Sequence, residues 1–111
     1  MGISKEGLKS MIGKARIIDV RSKEETESGV IPSARHIPLD ELEQALEMDP
    51  VEFEQEYGFD KPKKQDVVIF YCYSGARSEI ASRIASSLGF NAKNYPGSII
   101  EWSQSEPLMS L

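Results

Sequence analysis

Two residues with four between them, Cys72 and Arg77, carry the strongest chemical signal in this 111-residue chain. The stretch Cys72-Tyr73-Ser74-Gly75-Ala76-Arg77 puts a thiol, a central glycine and a permanent cation into one short segment. A turn built around a glycine can aim successive backbone N–H groups inward and so form a nest for an anion. A helix starting just beyond it adds the partial positive charge of its N-terminus, and Arg77 adds a planar set of donors. A thiol at the rim of such a nest has a depressed pKa and is largely thiolate near neutral pH. The chemistry on offer is nucleophilic attack by sulfur. A lone cysteine after an apolar strand also serves elsewhere as a small buried hydrophobe. Here polar neighbours, Gly75 and Arg77 favour the reactive reading.

Such a thiol must be held by regular elements, and the pattern supplies them. Val67-Val68-Ile69-Phe70-Tyr71 is a continuous β-branched and aromatic run, as expected of a parallel strand buried on both faces. Cys72 therefore stands at the carboxyl end of a central strand, where open α/β sheets place their ligands. Ser78 to Leu88 reads as the following helix, with Ile80, Ala81, Ile84, Ala85 and Leu88 as its apolar stripe and Gly89 as its stop. Upstream, Ser4 caps a short helix to Ile12, and Ala15 to Val20 is a second buried strand. Ser22 with Glu25 makes a capping box ahead of Gly29. Val30-Ile31-Pro32 and His36-Ile37-Pro38 are extended pieces. Asp40 with Glu43 starts a helix to about Met48, and Asp49-Pro50 starts another that ends at Gly58. Asn94-Tyr95 is expected as an edge strand, and Ile99 to Trp102 as a last helical turn. Strands alternating with helices make this an α/β domain with a mainly parallel sheet flanked by helices, one domain over residues 1–111.

Composition narrows the partners. Thirteen Lys and Arg against 18 Asp and Glu give a net charge of −5, which leaves no basic surplus for nucleic acid. No apolar run approaches the ~20 residues needed to cross a bilayer, so no membrane partner is expected. Nine acidic residues and no basic one lie between Asp40 and Asp60, followed at once by Lys61, Lys63 and Lys64. This reads as a solvated acidic surface beside a basic turn. With one cysteine no internal disulfide can form, and a reducing compartment fits. Without an apolar leader at the start, the cytoplasm is the expected location, with mitochondria as the alternative. A monomer is expected, and no metal or organic cofactor, since there is no His/Cys cluster to bind one.

Loop length separates two kinds of thiolate chemistry. Cysteine-dependent phosphatases have one residue more between nucleophile and arginine, which lets the loop wrap a tetrahedral phosphate. The tighter bowl here is better matched to a terminal sulfur carried on the cysteine itself. Cys72-Tyr73-Ser74-Gly75-Ala76-Arg77 resembles the active-site loop of the rhodanese family of sulfurtransferases. Ile17-Ile18-Asp19-Val20-Arg21 with Glu24-Glu25 is similar to the family's opening strand and acidic turn. Gly29-Val30-Ile31-Pro32-Ser33-Ala34-Arg35-His36-Ile37-Pro38 resembles its next signature, with Ser33 where glycine is commoner. Leu88-Gly89-Phe90, Tyr95-Pro96-Gly97-Ser98 and Glu101-Trp102 resemble its closing segment, with Ser98 again in place of a glycine. The stretch Leu42 to Lys64 is similar to small stand-alone members that pass sulfur from thiosulfate to glutathione.

The resemblance implies a rhodanese-like fold and a residue-by-residue set of roles. Cys72 matches the sulfur-accepting cysteine, and the N–H groups of Tyr73, Ser74, Gly75, Ala76 and Arg77 match the cradle of its persulfide. Arg77 matches the arginine that closes the loop and favours anionic donors. Asp19 and Arg21 match structural positions, an ion pair near the loop. His36, the only histidine, is assigned to packing rather than to base catalysis. Trp102 belongs to the core, and Tyr73 and Ser74 tune the choice of donor and acceptor. The implied reaction takes sulfur from thiosulfate to a thiol, glutathione or a protein thiol, in two half-reactions. Two alternatives stay open at this level: a cysteine phosphatase or arsenate-reductase-like enzyme, and a non-catalytic rhodanese-like binding module.

Overall fold

A computed structural model describes residues 2–111. The elements run α1 (Lys5–Met11), β1 (Arg16–Asp19), α2 (Lys23–Thr26), β2 (Arg35–His36), α3 (Leu39–Glu47), α4 (Pro50–Tyr57), β3 (Val67–Tyr71), α5 (Ala76–Ser87), β4 (Asn91–Asn94) and α6 (Ser98–Ser105). The four strands form one parallel sheet in the order β2-β1-β3-β4. β3 is central, with Ile17 opposite Ile69 on one side and Phe70 opposite Asn94 on the other.

The apolar run of β3 is continuous because both of its faces are covered. Side chains alternate across a strand. Val68, Phe70 and Cys72 therefore join Ile18 and Val20 in the layer beneath α3, α4 and α5, where Leu42, Leu46, Phe53, Ala81 and Ala85 pack. Ile69 and Tyr71 join Ile17 on the opposite face, against Leu8 of α1 and Ile99 and Trp102 of α6. Burying both faces of a central strand is what fixes the end of β3, and with it the position of Cys72.

Local signals set most of the helix ends. The Ser4 hydroxyl accepts from the Gly7 N–H, and Asp49 accepts from the Glu52 N–H with Pro50 at the first helical position. Ser22 and Glu25 form the expected capping box. Three boundaries and one helix face differ from the sequence reading. α5 begins at Ala76, two residues early, because the loop itself feeds the helix. Ser78 and Ser82 are buried on its inner face while Ile80 is half exposed, so small hydroxyl residues replace part of the expected apolar stripe. The second edge strand is Asn91–Asn94 and ends before Tyr95, whose N–H already bonds the Phe70 carbonyl. α6 extends to Ser105, well beyond the single turn expected.

The lysines after the acidic segment have local partners. Lys61 Nζ donates to the Met48 carbonyl at 2.6 Å, and Lys64 Nζ bonds the Leu88 carbonyl and lies over the Phe90 ring. Lys61 thus ties the segment after α4 to the end of α3, and Lys64 ties it to the end of α5. Among the described residues no helix is long and apolar enough to cross a membrane.

Candidate active site

The polypeptide leaves β3 at Tyr71, turns through residues 72–75 and enters α5 at Ala76. Gly75 makes the turn possible. It has φ +105°, and a Cβ there would sit 2.5 Å from the Pro96 carbonyl oxygen, so only glycine fits both the backbone and the space. Because α5 starts at Ala76, its first N–H groups have no acceptor within the helix and face the loop.

Cys72 lies on the floor of this loop and is 1% exposed. The Gly75 N–H donates to Sγ at 3.1 Å, the Ser78 hydroxyl is 3.4 Å away, and the Ser98 hydroxyl is 3.9 Å away. Burial alone pushes a thiol up. Here the Ser78 hydroxyl and the backbone N–H groups of Ser78, Gly75 and Ser74 outweigh it and hold Cys72 below its ordinary value. The nest thus works with Ser74, Gly75 and Ser78 as its groups nearest the thiol. Ser78, outside the six-residue stretch, is a participant that the sequence reading missed. It is fully buried and also donates to the Gly75 carbonyl.

The loop is tied on its far side to the start of α6. The Cys72 carbonyl accepts from the Ile99 N–H at 3.1 Å, and the Tyr73 carbonyl accepts from the Ile100 N–H at 3.1 Å. The Cys72 N–H donates to the Ser98 hydroxyl at 3.1 Å. Ser33 and Ser98, both read in the sequence as standing where glycine is commoner, have φ of 71° and 56°. They are the two residues other than glycine with positive φ among those described. A side chain in that region costs on the order of 1 kcal/mol, which is what glycine would avoid.

Arg77 is placed differently from the sequence expectation. Its guanidinium does not reach into the bowl but forms a fork with Glu25, Nη1 to Oε1 at 2.7 Å and Nη2 to Oε2 at 2.9 Å. The same Glu25 Oε1 accepts from the Ser22 N–H, so one carboxylate caps α2 and grips α5 together. The Arg77 bonds, helped by the Ser22 N–H, hold the Glu25 carboxyl at about 2 despite its partial burial. A groove of about 370 Å³ opens beside this clamp, lined by Val20, Ser22, Leu39, Asp40 and Arg77 among others.

Asp19 and Arg21 form the expected ion pair. Arg21 Nη2 donates to Asp19 Oδ2 at 2.8 Å and to the Gly29 carbonyl at 2.8 Å, with both side chains buried. The pair joins the end of β1 to the chain after α2. His36 is half-buried, with Nε2 2.7 Å from the Arg21 carbonyl, a packing contact away from Sγ. Trp102 is buried, as expected. Tyr73, Ser74 and Ala76 are exposed and form the rim above the thiol. Among the described residues no group of three or more His, Cys, Asp or Glu side chains stands close enough to hold a metal ion.

Residues 4–105 match the rhodanese-like domain family. The human thiosulfate:glutathione sulfurtransferase is 44% identical over 108 residues, covering 94% of this chain and 94% of that protein. The thiosulfate:glutathione sulfurtransferase of Saccharomyces cerevisiae is 38% identical over 102 residues, 87% of this chain and 73% of that one. The solved structure of a human single-domain sulfurtransferase superimposes with a TM-score of 0.92 at 43% identity, covering 96% of this chain and 97% of the other.

Proposed function

The chain belongs to the rhodanese-like domain family and is a sulfurtransferase, and from that premise we propose that it carries the outer sulfur of thiosulfate to glutathione on Cys72. The supporting observation is a thiol on the floor of a donor-lined loop, with Sγ 3.1 Å from the Gly75 N–H and 3.4 Å from the Ser78 hydroxyl. The Cys72 thiolate attacks the outer sulfur of thiosulfate. The bond between the two sulfurs breaks, its electron pair leaves with sulfite, and the cysteine becomes a persulfide. The outer sulfur then lies toward the free N–H groups at the start of α5, which favour its negative charge. Glutathione thiolate next attacks that outer sulfur. The bond to Sγ breaks, the electron pair returns to Sγ, and glutathione persulfide departs.

The same donors therefore serve Sγ in both half-reactions, first as nucleophile and then as leaving group. A step that begins from a free thiol suits a reducing compartment, with the cytoplasm as the expected one. The role of Cys72 is tested by Cys72→Ser, which keeps the shape but replaces the thiolate with a far less acidic hydroxyl. Sulfite release from thiosulfate should vanish while the circular dichroism spectrum is unchanged. Turnover near that of the wild type would end the covalent reading.

A further inference from the structure

Ser98 has a conformation and a set of bonds that its neighbourhood alone does not require. It is fully buried and has φ 56°, a region that side chains enter only where the surroundings over-determine them. Its hydroxyl accepts from the Cys72 N–H at 3.1 Å and donates to the Tyr95 carbonyl at 2.9 Å. The hydroxyl oxygen stands 3.9 Å from Sγ itself. The Cys72 N–H has left the β3 ladder, and the Ser98 oxygen is the acceptor it meets in the interior. An amide buried without an acceptor would be costly, so the hydroxyl meets a specific need of the residue that bears the thiol.

We propose that Ser98 is a positioning residue for the Cys72 thiolate: by gripping the Cys72 N–H it keeps Sγ aligned with the Gly75 N–H and the Ser78 hydroxyl. The next two residues of α6 hold the Cys72 and Tyr73 carbonyls. Ser98 thereby completes a three-point attachment of the loop to the start of α6. Without the hydroxyl the Cys72 N–H loses its acceptor while the flanking Tyr71 and Cys72 carbonyls stay held by the Val20 and Ile99 N–H groups, so the amide tilts in search of a partner and Sγ shifts off donors that act only at short range and in line. The thiolate loses stabilisation, both as the attacking group and as the group expelled from the persulfide. This inference rests on Cys72 being the reactive thiol.

Two variants separate the hydroxyl from the backbone. Ser98→Gly removes the side chain and also relieves the positive φ, which offsets part of the cost of leaving the Cys72 N–H without its acceptor. Ser98→Ala removes the hydroxyl and keeps the strain. The rate of iodoacetamide alkylation of Cys72 against pH is measured for both variants and for the wild type, beside thermal melts. The midpoint of the Ser98→Gly profile should move up, and its rate at pH 7 should fall about threefold to tenfold, the worth of one net hydrogen bond. Its melting temperature should fall less than that of Ser98→Ala, since relief of the positive φ offsets part of the cost of the unpaired Cys72 amide. Ser98→Ala should show the same chemical shift at a lower melting temperature. A Ser98→Gly profile superimposable on the wild type would overturn the proposal, as would a loss of reactivity confined to Ser98→Ala. A wild-type midpoint at the ordinary thiol value would instead sink the reading of Cys72 on which the inference rests.

Discussion

The molecule contains two arginine–carboxylate forks close to the same loop, and they do different work. Arg21 and Asp19 are both buried, and the pair binds the end of β1 to the Gly29 carbonyl. Arg77 and Glu25 have a third or more of their side chains exposed, and the pair binds the start of α5 to the cap of α2. The donors and acceptors are alike, and the surroundings are not. In the interior a single charge without its partner has no water to turn to, so the first fork is architecture. At the surface water replaces a lost partner cheaply, so the second fork contributes little to stability. What it can contribute is geometry, by fixing the first turn of the helix whose N–H groups face the thiol.

The largest effect should come from the buried pair. Arg21→Met removes the guanidinium and leaves the buried Asp19 carboxyl with only the backbone N–H at position 21, and chemical denaturation should show a loss of about 3–5 kcal/mol. If that variant lost less than the surface variants below, burial would not be the deciding difference. At the surface fork, Arg77→Lys keeps the charge and gives up the two-point grip. Stability should fall by about 1 kcal/mol or less. Thiosulfate turnover should drop about tenfold, on the scale of one hydrogen bond to a charged group. Equal losses of stability in Arg77→Lys and Arg21→Met would erase the distinction.

Acid should act on the surface fork in a definite direction. Glu25 has a folded-state value of about 2, below its ordinary 4.5. Its contribution to stability is therefore present above the ordinary value and is lost as pH falls toward 2. The clamp stays intact across neutral pH, so the pH dependence of activity there belongs to Cys72. Glu25→Gln should lower stability modestly at neutral pH and flatten the acid limb of a stability–pH curve, so that variant and wild type converge as pH falls toward 2. A gap between the two that widened in acid would contradict the assignment.

The sequence made the frame of this site legible and left parts of its interior unread. The apolar run of β3, the Ser22–Glu25 capping box and the loop from Cys72 to Arg77 rest on local rules, and each stands where it was expected. The Asp19–Arg21 pair, two residues apart, was readable for the same reason. Glu25 was read as a cap, but its grip on Arg77 joins residues 52 apart, and no periodicity reports such a contact. Arg77 was accordingly expected to close the loop and favour anionic donors, with no partner on α2 foreseen, and its guanidinium pairs with Glu25. Ser78 and Ser98 went unread as site groups because a serine inside a helical pattern looks like a weak helix former or a cap. Only the packing shows their hydroxyls turned toward Cys72. Ser98 did leave one trace, a serine where the resembling family has glycine, and its positive φ gives that departure a physical meaning.

The central claim is that sulfur rests on Cys72 between donor and acceptor. This chain has no second cysteine, so no internal thiolate can resolve a persulfide to a disulfide within one molecule. The direct measurement is intact mass after thiosulfate is added and then removed, followed by addition of glutathione. The account predicts one added sulfur, about 32 Da, that maps to Cys72, persists without an acceptor and disappears with glutathione as the free thiol returns. A loaded form that never appears would contradict it, and a sulfur discharged by a protein thiol but not by glutathione would keep the chemistry and overturn the acceptor.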